Sequence, residues 1–80
     1  MRTGWLSKGT FAVHLANRIR RASGEPNREI SVRIFADLFN LDERHILRVL
    51  AGGERPSREL LVAAGAKARI LEEEQYRFDE

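Results

Sequence analysis

Arg44 and Arg48 stand one helical turn apart in the segment DERHILRVL, with Glu43 and His45 beside them, and here the sequence offers its clearest chemistry. At 3.6 residues per turn the two guanidinium groups share one side of a helix, while Ile46, Leu47, Val49 and Leu50 gather on the other. A guanidinium presents parallel N–H groups that match guanine O6 and N7, and each such contact discriminates between bases by about 1–3 kcal/mol. The carboxylate of Glu43 can accept a proton donor such as cytosine N4, although on the helical wheel it leans toward the Leu47 side. Arg33, His45 and Arg55 are candidates for phosphate oxygens, His45 with the alternative of simply lying at the edge. The expected base contacts are thus Glu43, Arg44 and Arg48. Catalysis is not expected, because no Ser, His and Asp arrangement, metal-ligand spacing or phosphate-binding Gly loop is present. No metal and no cofactor are implied.

Two helices must hold these residues. From Ser31 to Phe39, Val32, Ile34, Phe35, Ala36, Leu38 and Phe39 form a broad apolar arc that leaves Arg33 and Asp37 outside. Asn40 occupies the corner, where the reversing chain needs a left-handed residue. Asp42 can cap a second helix running to about Ala51, and Gly52-Gly53 ends it. The pattern reads helix, turn, helix.

These residues resemble the helix-turn-helix of the lambda-repressor and Cro family of bacterial and phage DNA-binding proteins, also called XRE-type. The likeness rests on Phe35, Ala36, Asn40, Leu41, Asp42, Ile46, Val49, Gly52 and the PSRELL that follows. It covers residues 31 to about 64. In the family, Asn40 is usually Gly, Asp42 a capping Ser or Thr, and Val32 a Gln that touches a phosphate, so that contact is not carried over. The resemblance implies an all-α, compact, four- to five-helix domain in which helix 42–51 enters the major groove. It also implies a small transcriptional regulator acting as a repressor or in phage-type control.

Composition sets the bounds. Eighty residues allow one small domain near the lower limit for a self-sufficient core. With no cysteine, neither a disulfide nor a thiolate metal site can form, so helix packing and self-association remain as sources of stability. No apolar run reaches the length of a membrane span, and the N-terminal MRTGWLSKG lacks a signal-peptide core. A cytoplasmic, nucleoid-associated protein is therefore expected, without a membrane partner or an evident small-molecule effector. The net charge of +2 divides unevenly: residues 71–80 sum to −4, which leaves +6 on the first seventy. Twelve of the fourteen cationic residues are Arg, and a basic body with an acidic tail suits a polyanionic partner such as double-stranded DNA. Charges that merely keep a domain dispersed are the competing explanation.

The remaining chain frames this centre. Residues 1–9 read as an N-terminal arm, either a basic extension toward DNA or a strap with Trp5 laid on the core. Residues 10–70 form the helix-turn-helix domain. Thr10 caps a first helix that buries Phe11, Ala12, Leu15, Ala16, Ile19 and Ala22, with Arg18, Arg20 and Arg21 outward, and stops near Gly24. GEPNREI is an irregular connection that either covers Ile34 and Leu38 or leaves them as an apolar patch. GGERP makes a tight loop whose amides are free for a phosphate. Pro56 and Ser57 open a fourth helix with Leu60, Leu61, Ala64, Ala68 and Leu71 on one face, where Gly65 is costly. Residues 71–80 prolong this helix, make a fifth, or fold back. In the first two cases Leu71, Tyr76 and Phe78 offer a dimer or partner contact, consistent with a homodimer on two half-sites. The alternative function is a protein-interaction module, an adaptor or inhibitor, using Ile34, Leu38 and Leu47.

Overall fold

The computed structural model describes residues 5–70 and 74–78. Its elements, in chain order, are strand β1 (Leu6–Ser7), helices α1 (Lys8–Ser23), α2 (Arg28–Phe39), α3 (Glu43–Leu50) and α4 (Arg58–Ala64), and strands β2 (Ala66–Ile70) and β3 (Glu74–Phe78). The fold is therefore mixed α and β, which corrects the expectation of an all-α domain. The three strands form one antiparallel sheet in the order β1-β3-β2. Among the described residues no helix is long and apolar enough to cross a membrane.

The helices start and stop where local chemistry dictates. Ser7, rather than Thr10, caps α1 by accepting from the Thr10 amide, and Gly24 closes it in a left-handed conformation. Asn27 caps α2 by accepting from the Ile30 amide at 3.1 Å, so α2 begins at Arg28 and the irregular connection shrinks to residues 24–27. Asn40 has φ 55° and sends its backbone N–H to Ala36 O, the left-handed corner that Asn tolerates. Asp42 accepts from the Arg44 amide at 2.9 Å and starts α3.

The largest departure from expectation lies beyond Ala64. Ser57 caps α4, but Gly65 ends it with φ 67°, and the chain leaves in extended form. The expected long helix through Ala68 and Leu71 does not form: Ala68 is exposed on β2, and Leu71 lies outside the described residues. β3 replaces a fifth helix. Its register places Ala68 opposite Tyr76 and Ala66 opposite Phe78. The N-terminal arm is shortened in the same way, since Leu6 and Ser7 pair with Tyr76 and Gln75, and Lys8 and Gly9 already belong to α1.

One core joins both layers. Phe11, Leu15 and Ile19 of α1 meet Val32 and Phe35 of α2, Ile46, Val49 and Leu50 of α3, and Leu60 and Ala64 of α4. The sheet contributes Tyr76 and Phe78, which alternate with the outward Gln75 and Arg77 as period-two geometry requires. Phe11 stacks on Tyr76 at a centroid distance of 4.4 Å and on Phe78 at 5.2 Å. The Arg18 guanidinium lies 4.4 Å from the Phe78 ring centre and donates to the Ala64 carbonyl at 2.9 Å, so it satisfies the end of α4 rather than pointing outward. Ala22, expected inside, is exposed.

Candidate nucleic-acid interface

Burying Ile46, Val49 and Leu50 fixes the rotation of α3 about its axis. That rotation leaves Arg44 and Arg48 exposed and His45 and Leu47 half-buried. The outward face is thus built as the sequence pattern requires. Its electrostatics, however, are far from bare.

Arg48 is held by a residue that the sequence pattern did not single out. Its Nε donates to Glu54 Oε1 at 2.8 Å. The other oxygen of Glu54 accepts a short hydrogen bond from His45 Nδ1, and His45 Nε2 accepts the Ser57 amide N–H at 3.0 Å. Because Nε2 is an acceptor, the ring proton sits on Nδ1 and points at the carboxylate. The hydrogen bonds from Arg48 and, next, from His45 hold the Glu54 carboxyl below its ordinary pKa, and Glu54 in turn raises that of Arg48. His45 is therefore a structural tie between α3, the 51–57 loop and the start of α4. Both of its ring nitrogens are thus engaged within the chain, so it presents no free ring nitrogen on this face.

The other expected contacts are also partnered. Arg33 Nε lies 3.6 Å from Glu43 Oε2, an exposed ion pair that bridges α2 and α3 and takes up both side chains. Arg55 pairs with Glu74 of β3 at 3.1 Å, and Glu74 also accepts from the Tyr76 hydroxyl. That carboxyl is held below its ordinary pKa by Tyr76 first and by the charges of Arg55 and Lys8 after it. Such exposed pairs stabilise by only about 0–1 kcal/mol, so a phosphate can compete for each cation. Arg44 differs, for its side chain has no hydrogen-bond or ion-pair partner among the described residues. The Gly-Gly loop offers fewer amides than expected: Gly52 N–H donates to Val49 O and Gly53 N–H to Arg48 O.

The apolar residues divide differently from expectation. Tyr76 and Phe78, expected as a dimer or partner contact, are buried in the chain's own core, and Leu71 lies outside the described residues. Ile34 is half-buried, and Leu47 packs partly on the core. Leu38 alone of the Ile34, Leu38 and Leu47 set is strongly exposed, at 62 %. A separate open groove of about 530 Å³ runs between the helix-turn-helix corner and α4, lined by Phe39, Asn40, Leu41, Arg58, Val62 and Ala63 among others. Val62 is 72 % and Phe39 46 % exposed.

Among the described residues no group of three or more His, Cys, Asp or Glu is placed to hold a metal ion. Comparison with known proteins adds no relative: no protein-family model, no curated protein and no solved structure matches the chain.

Proposed function

We propose that the chain is a sequence-specific binder of double-stranded DNA that inserts α3 into the major groove, as part of a small transcriptional regulator. The observation that carries this reading is the pose of α3. It follows α2 through a tight left-handed corner, buries one side, and turns Arg44 and Arg48 outward a helical turn apart. In this reading both arginines address base edges, while Arg33 and Arg55 exchange their carboxylate partners for phosphates. Glu43 acts through Arg33 rather than on a base. Repression by a homodimer on two half-sites, centred about 10–10.5 base pairs apart or a multiple of that, is the corresponding biological form.

A random-sequence DNA selection with the purified chain, followed by a salt titration on the selected site, tests the proposal. Enrichment of a defined site whose affinity falls with salt is the expected result, because phosphate contacts release counterions. Arg33 and Arg55, once they exchange their carboxylates for phosphates, should each add about one to the salt slope, which sets this binding apart from an apolar contact. Absence of any enriched site would remove the proposal.

A second reading is favoured by one observation, the apolar groove at Phe39, Leu41 and Val62. It makes the domain a protein-interaction module whose binding responds little to salt. Val62→Asp would abolish that binding and leave DNA selection unchanged.

A further inference from the structure

We infer that Glu54 is a specificity-determining positioning residue: it fixes the Arg48 guanidinium so that its two terminal nitrogens meet a single guanine. The inference rests on the DNA-binding reading above and extends it to a residue outside α3. An arginine has five N–H donors in a rigid plane, and a guanine O6/N7 pair uses two of them in parallel. Glu54 Oε1 accepts from Nε, and the terminal nitrogens of Arg48 have no partner among the described residues. The arrangement therefore engages Nε with Glu54 and leaves the two terminal nitrogens to present a parallel pair of donors to a guanine edge.

The support for Glu54 is itself anchored. Its second oxygen takes the His45 Nδ1 proton, and His45 is locked from its far side by the Ser57 amide, the N-cap of α4. A relay of hydrogen bonds thus runs from the backbone of α4 through His45 and Glu54 to Arg48. Arg44 has no such brace. The two arginines are therefore unequal. Arg48 should read one base pair sharply, whereas Arg44, free to swing, should tolerate several bases or turn to a phosphate.

Glu54 also places a negative charge near the nucleic acid, and this gives the test a signature that damage to the fold cannot imitate. The full chain, in wild-type form and as Glu54→Ala, Glu54→Asp and Arg48→Ala, would be taken through the same random-sequence selection. Binding to an unrelated duplex would be measured beside it. For Glu54→Ala the expected result is a fall of about tenfold in preference for guanine at one position. Affinity for the unrelated duplex should rise at the same time, because a like charge has gone. Glu54→Asp keeps the charge but is too short to hold both neighbours. It should lose the same preference without the gain. Arg48→Ala should lose preference at that same position.

The outcomes separate the inference from the reading beneath it. A wild-type chain that selects no sequence overturns both. A wild-type preference that Arg48→Ala abolishes, but that Glu54→Ala or Glu54→Asp leaves intact, overturns the role of Glu54 alone. A loss of specific and unspecific binding together in Glu54→Ala would make the residue structural and overturn it as well.

Discussion

Tyr76 is the residue whose environment has most to do with its chemistry. It is the only tyrosine in the chain, is buried under Phe11, and donates its hydroxyl proton to Glu74. Burial first, and Glu74 second, push its pKa up from 10.0 to about 12. A raised pKa on an acid means that the fold favours the neutral phenol. The associated stability is complete below the ordinary value of 10.0 and is lost as pH climbs from there to about 12. An ultraviolet titration of tyrosinate in the native protein should show a midpoint well above 10, and a midpoint near 10 would contradict the packing described. Glu54 has the opposite sign. Its carboxyl pKa lies below the ordinary 4.5 because of Arg48 and His45, so its contribution is present above that value and disappears as pH falls through the depressed one. The stability gap between wild type and Glu54→Gln, measured by urea at a series of pH values, should therefore close in acid. The importance of Glu54 could not be read beforehand. It depends on a loop that turns back through Gly52 and Gly53 to bring position 54 beneath position 48, and nothing in the local pattern marks that distance.

Among the elements, α3 and the corner before it were the most legible. Each of their determinants is local: Asn40 for a left-handed turn, Asp42 for a cap, and Ile46, Val49 and Leu50 for one buried side. The hairpin of β2 and β3 was not. AKARI and EQYRF consist largely of residues with good helical propensity, so a spacing of four between Ala64 and Ala68 imitates the continuation of α4. What favours the strand is distant in sequence: Phe11 stacks on both Tyr76 and Phe78, two residues apart, which share a face in a strand but not in a helix. Gly65 was the available signal, because a glycine inside an amphipathic helix is more often its end. Gly65→Ala tests this element directly. The residue sits at φ 67°, and an added Cβ would come within 3.3 Å of Arg18 Nη1, the group that satisfies the Ala64 carbonyl. A loss of about 1–2 kcal/mol is expected from chemical denaturation, the cost of forcing a left-handed conformation on a residue with a side chain.

For the whole molecule, helices and sheet are not separable parts. Tyr76 and Phe78 belong to the same buried cluster as Leu15, Phe35 and Ile46, and Glu74 reaches the α3–α4 loop through Arg55. Strand β3, residues 74–78, is accordingly part of the fold and not an appendage beside it. A chain truncated after residue 70 should lose cooperative unfolding and much of its helical circular dichroism, since deletion of large buried aromatics costs about 3–5 kcal/mol each and an 80-residue domain has little in reserve. A truncated chain that unfolds as sharply as the full one would show that the helical layer stands alone. The antiparallel pairing of Leu6 with Tyr76 has a consequence in time as well as in space. During synthesis all four helices are made before residues 74–78, so Phe11 waits uncovered until the last strand arrives. Its two ring partners come into reach together, and the helical layer and the sheet must then close in a single late step. The capture of β3 between β1 and β2 is therefore expected to follow the assembly of the helices, and refolding followed by tyrosine signal beside helical circular dichroism checks that order.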